Sequence, residues 1–179
     1  MKEKSEPGKN APEIKFVSVR VEPYLAEYAQ SVYGCGRQDG AVKIPYTSTL
    51  YHVLWYNMHR RPPGCADPAD GNLRILLPDS RMLARDEGMR KNPRYWNWLP
   101  PRGVQAIEHC LLSQFNYEFR TSMMENEESG RPCNQFEVVW QFMHRHRLTQ
   151  ITEDALLKNF QRYRRKLYPK RVRKYDKKT

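Results

Sequence analysis

Val17, Val19 and Val21 alternate with Ser18 and Arg20. A period of two with one apolar and one polar face predicts a short strand. Pro23 suits the first turn of a helix that Gly34 closes, with Tyr24, Leu25, Tyr28 and Val32 turned inward. The segment CGRQDG then reads as a turn and AVKIP as a second short strand. Thr47 or Ser48 caps a second helix whose inward positions are Leu50, Val53, Leu54 and Met58, and Pro62–Pro63 ends it. A loop over 64–72 leads to a third strand, Leu73 to Leu77. Residues 14–78 are therefore expected to form a small strand–helix–strand–helix–strand unit.

Residues 79–102 are irregular and mixed in charge and read as a linker. Its Tyr95, Trp96 and Trp98 are expected to cover a core edge; interleaved with Arg81, Arg85, Arg90, Lys91 and Arg94 they also have the composition of a base-stacking surface. From Gly103 the period changes to that of a helix. Val104, Ile107, Leu111, Phe115, Phe119 and Met123 lie three or four apart down to about Glu125, where NEESGRP breaks the pattern. Phe136, Val139, Trp140 and Met143 predict the buried stripe of a second helix over 135–147. After the turn RLTQ, Thr152 caps a third helix. Glu153 and Asp154 sit where the helix dipole favours acids, and Leu156, Phe160, Tyr163 and Leu167 form its apolar stripe before Pro169 ends it. The fold class is thus α+β: the N-terminal strand–helix unit, then a C-terminal three-helix unit over 103–169 whose last two helices have helix-turn-helix proportions. Residues 1–13 read as a polar, disordered leader and 170–179 as a flexible arm.

Charge changes this picture at one place. From Lys158 to Thr179 there are eleven Lys or Arg and one acid, Asp176, a net of +10 (11 − 1); the whole chain is +11, so the residues before Lys158 are nearly neutral. Such a block creates a local field that attracts polyanions. On the third helix Lys158, Arg162 and Arg165 form a stripe beside the apolar one, with Arg164 and Lys166 flanking it. These side chains are expected to meet phosphates or base edges, and Lys170, Arg171, Arg173 and Lys174 of the arm to track a nucleic-acid backbone.

Other chemistry is weakly signalled. There is no Walker loop, no GxGxxG, no GxSxG and no HExxH, so no enzyme class is indicated and no cofactor is expected. Asp79, Asp86, Glu87 and Glu108 are the acids that a Mg²⁺-dependent phosphodiester hydrolase would draw on. Cys35, Cys65, Cys110 and Cys133 include no CxxC pair; a zinc site from Cys110, Cys133 and the His144/His146 pair is conceivable, and reduced thiols are the expectation, with no metal. No apolar run of membrane-spanning length is present, which predicts a cytoplasmic protein with no membrane partner. The expected partner is nucleic acid, DNA before RNA. The alternatives are a ribonucleoprotein component and a protein–protein adaptor whose basic tail meets an acidic partner; self-association is a separate expectation.

Two resemblances add context. The stretch beginning SVRV, followed by a helix and a second Ser/Thr-capped helix, resembles the ribbon-helix-helix DNA-binding family. That likeness implies strands paired across a dimer, with Ser18 and Arg20, and Phe16 beside them, entering the major groove; the link from Gly34 to Thr47 is longer than that family's turn. The YWNWL segment before a long helix, with TEDALLKNFQRYRRK near the C-terminus, resembles proteins of bacterial transposable-phage and mobile-element gene clusters. It implies a DNA-centred setting: a regulator or accessory factor of such an element.

Overall fold

A computed structural model describes residues 16–34, 40–65, 70–77, 91 and 95–169. The fold is mixed α+β: among the described residues it has five helices and one two-stranded antiparallel sheet. In chain order these are β1 (Phe16–Val19), α1 (Pro23–Tyr33), α2 (Thr49–Asn57), β2 (Leu73–Leu76), α3 (Pro101–Glu128), α4 (Gln135–His146) and α5 (Glu153–Leu167).

The chain divides into two units. The first takes described residues 16–21 and 33–110, and the second takes 22–32 and 111–169. A boundary at residue 103 does not describe this division, because Tyr28 and Ser31 of α1 bond to α3 and α4 side chains.

In the first unit Phe16 pairs with Leu76 and Val19 with Leu73, and Val17, Val19, Leu73 and Ile75 are buried, as the period-two pattern requires. The strand expected from AVKIP is reduced to one parallel bridge, Val42 with Ile75, made by Val42 N–H to Arg74 O (2.9 Å) and Leu76 N–H to Val42 O (3.0 Å). Pro45, three residues on, has no N–H with which to continue a ladder. Ser48 caps α2 by accepting from Tyr51 N–H. This helix stops at Asn57 rather than at the proline pair, since Met58 is extended and His59 exchanges backbone bonds with Trp98. Gly103 belongs here as well: a Cβ on it would lie 3.0 Å from Asn57 Cβ, tight enough that a side chain there requires a shift of a few tenths of an ångström.

The second unit is helical. Leu111, Phe115, Phe119 and Met123 form a buried four-residue stripe along α3. The helix ends where Asn126 brackets Cys133, donating to its carbonyl at 2.9 Å and accepting its N–H at 3.1 Å. Asn134 and Glu137 form a capping box for α4. The α4–α5 turn leaves through Arg147, left-handed at φ 52°, with Leu148 N–H on Met143 O. Glu27 of α1 secures that turn, accepting the N–H groups of Thr149 (2.8 Å) and Gln150 (3.1 Å) and the Thr149 hydroxyl.

Three expected stripes are corrected. On α1, Ala26 and Ala29 are buried and Val32 is exposed. On α4 the inward residues are Val138, Val139, Phe142 and His146, whereas Phe136 (61% exposed) and Trp140 (57%) face out. Both α4 sets are helical arcs sharing Val139, and the helix turns toward the one that carries Phe142, whose ring meets Phe115 and Phe119. Trp140 instead stacks on His144, with ring centroids 5.2 Å apart. On α5, Leu156, Leu157 and Phe160 are buried while Leu167 is exposed.

Candidate nucleic-acid interface

Thr152 caps α5 through Ala155 N–H, and Glu153 and Asp154 fill the first turn. The burial of Leu156, Leu157 and Phe160 fixes the rotation of the helix. At 3.6 residues per turn, Arg162 lies about 160° round the axis from Phe160, with Arg165 and Lys166 on either side of it. From Gln161 to Pro169 every residue but Tyr163 is exposed, so the last two turns carry their cations into solvent on most sides.

The five α5 cations are not equivalent. Lys158 Nζ lies 2.5 Å from Asp154 Oδ2, one turn back. Arg164 Nε lies 3.3 Å from Glu127 Oε2 on α3, and that carboxylate also holds Arg131. Among the described residues no carboxylate pairs with Arg162, Arg165 or Lys166. The acids sit at the N-terminal end of α5 and the unpaired cations at its C-terminal end. Groove reading by the N-terminal residues of a recognition helix would bring Glu153 and Asp154 against phosphates, so the charge order differs from what a helix-turn-helix uses.

Beside this edge α3 and α5 are joined by a polar ladder that the periodicity did not reveal. Arg120 Nε and one terminal nitrogen donate to Asn159 Oδ1 (3.2 and 3.1 Å), and Asn159 Nδ2 donates to Asn116 Oδ1 at 2.9 Å. The Arg120 guanidinium covers the Tyr163 ring at 4.6 Å, so this tyrosine is half-buried under a cation and not in the apolar core. The only sequence signal for these residues was their place on the polar side of α3 and α5.

The strand positions are engaged within their own unit. β1 pairs with β2 of the same chain, the role a second copy would fill in the ribbon-helix-helix arrangement. A Cβ on Gly71 would collide with Ser18 Oγ, Arg20 pairs with Asp70, and Arg74 covers the Phe16 ring at 3.9 Å. Lys170, Arg171, Arg173 and Lys174, and the loop acids Asp79, Asp86 and Glu87, lie outside the described residues, as do residues 1–13. Glu108 is half-buried on α3.

His146, 5% exposed, is taken up in the core. Its Nε2 is 3.0 Å from Glu118 Oε1, and Tyr28 Oη donates to Glu118 Oε2 at 2.7 Å. Its Nδ1 lies 2.8 Å from Ser31 Oγ, which also reaches Tyr28 O at 2.8 Å. The residue types match a serine–histidine–acid relay, but the imidazole is reversed and Ser31 sits within α1, whose ladder engages the neighbouring N–H groups and leaves no pair for an oxyanion. The network is a polar clasp between α1, α3 and α4. Cys133 lies 4.0 Å from Gln141 Nε2, burial pushes the Cys110 thiol up, and among the described residues no three His, Cys, Asp or Glu side chains converge to hold a metal ion.

Lys91, in the first unit, is 7% exposed. Its ammonium donates to the carbonyls of Trp55 (2.6 Å), Met58 (3.0 Å) and Tyr56 (3.3 Å), the groups that the end of α2 leaves without helical partners. Trp96 flanks it at 5.1 Å, which places one linker aromatic over a core edge. Burial lowers its pKa from the ordinary 10.5. No described helix is long and apolar enough to cross a membrane.

No protein-family model matches the chain, and neither the curated proteins nor the solved structures contain a match.

Proposed function

We propose that the protein binds nucleic acid, DNA first, through the outward edge of α5, and serves as a regulator or accessory factor rather than as an enzyme. The observation that carries this reading is the grouping of Arg162, Arg165 and Lys166 on exposed helical turns without a carboxylate partner among the described residues. Cations already paired, such as Lys158 and Arg164, give up an interaction before they can take a phosphate, whereas these three do not. Residues 170–179 follow directly and add a net of +5 (six basic, one acidic) to the same end of the chain.

The test is the salt dependence of binding to duplex DNA. Arg162→Ala and Arg165→Ala are each expected to make the slope of log K against log salt shallower by up to ~0.9, with a smaller change for Arg164→Ala. Removing residues 170–179 lowers affinity further. A slope unchanged in both helix variants overturns the assignment to α5.

A further inference from the structure

Next to the cationic edge the surface between α3 and α5 is concave. One depression of about 530 Å³ is lined by Asn116, Tyr117, Arg120, Glu125, Glu128 and Tyr163, among others. A second, of about 230 Å³, shares Arg120 and Tyr163 and is completed by Asn159, Arg162 and Lys166. The two adjoin at Arg120 and Tyr163, so the α5 cations border this concave surface. The larger volume lies within the range of about 300–1,000 Å³ typical of sites that take small organic groups.

The ladder fixes what the groove offers. Arg120 has only donors, so Asn159 must present its oxygen there and its NH₂ to Asn116, which in turn must present its own oxygen. The Asn116 NH₂ is then left as a donor with no partner among the described residues. Tyr117 is 74% exposed and supplies an uncovered aromatic ring on the α3 wall. Arg162 and Lys166 supply positive charge to the smaller depression, and Glu125 and Glu128 add negative charge to the lining of the larger one.

We infer that this groove receives an unpaired base of single-stranded nucleic acid, stacked on Tyr117, with a carbonyl of the base facing Asn116 Nδ2 and the adjoining phosphate on Arg162 and Lys166. The inference rests on the α5 reading above and narrows it to a strand form. In a duplex the bases are stacked and paired, so no base face is open to stack on a protein ring. An unpaired base brings a π face, acceptors and a phosphate together, and aromatic stacking with a cationic border is how single strands are held without sequence reading. The ladder keeps the α3 and α5 walls in place before the ligand arrives, which reduces the ordering cost of binding.

The experiment measures affinity by fluorescence anisotropy for a labelled oligodeoxythymidylate of about twelve nucleotides, which stays unpaired, and for a mixed-sequence duplex of similar length. Tyr117→Ala is expected to weaken single-strand binding about tenfold or more while leaving duplex binding within twofold, and Tyr117→Phe to restore it. Arg165→Ala, outside the groove, is expected to weaken both probes about equally. Circular dichroism melting controls the fold, which an exposed Tyr117 leaves undisturbed. If Tyr117→Ala binds the single strand as wild type does, the groove is not the base site; Arg162→Ala and Arg165→Ala still weakening the duplex would then leave the α5 reading intact. If neither probe binds wild type, both readings fall.

Discussion

Glu118 Oε1 lies 3.0 Å from His146 Nε2, joining α3 to a buried imidazole on α4. The same carboxylate accepts the Tyr28 hydroxyl from α1, so three helices meet on one acid. A core position on α4 that periodicity would fill with an apolar residue is held by a histidine because both its nitrogens find partners.

Glu118→Ala removes the carboxylate that accepts the Tyr28 hydroxyl and faces His146 Nε2. The expected loss is about 1–3 kcal/mol in urea unfolding. Tyr28→Phe alone removes one donor and is expected to cost less. In the double variant Tyr28→Phe adds little further, and a strictly additive result means that the two residues are not coupled.

The two faces of α4 make opposite predictions. Phe142 is 2% exposed and packed among aromatic rings, so Phe142→Ala is expected to cost about 3–5 kcal/mol. Trp140 is more than half exposed, so Trp140→Ala is expected to stay within about 1 kcal/mol despite the larger side chain. Thermal melting of both variants decides it, and a reversed order would place Trp140 in the core.

Lys91 gives a pH signature. Its folded-state pKa is lowered by burial, so between that value and the ordinary 10.5 the unfolded chain binds more protons than the folded one. Stability contributed by this group therefore rises with pH across that interval, and below it the cost of the buried charge is constant. Lys91→Met removes the titration, and the wild-type-minus-variant difference in unfolding free energy is expected to increase as pH rises toward the ordinary 10.5. Near neutrality the variant leaves the carbonyls of Trp55, Tyr56 and Met58 without their donor, at a cost of about 1–3 kcal/mol. A difference that is flat in pH would show that Lys91 titrates alike in both states.

Much of the fold was legible because it is local. A four-residue apolar repeat is enough to specify α3, alternating valines are enough for β1, and Ser48 and Thr152 mark helix starts through bonds to N–H groups three residues on. The gathering of positive charge at the C-terminal end needs only counting. Tertiary structure decided the phase of each helix and the partner of each polar group. Periodicity defines an arc of candidate core positions, and on α4 two arcs share Val139; the contacts of Phe142 chose between them. His146 draws on Glu118, 28 residues away, and Ser31, 115 away. Arg164 is claimed by Glu127 of α3, while Arg162 and Lys166, on the same helix, are left to solvent. Hydrogen bonds and ion pairs act over a few ångströms of space, and only the folded chain brings residues so distant in sequence within that reach.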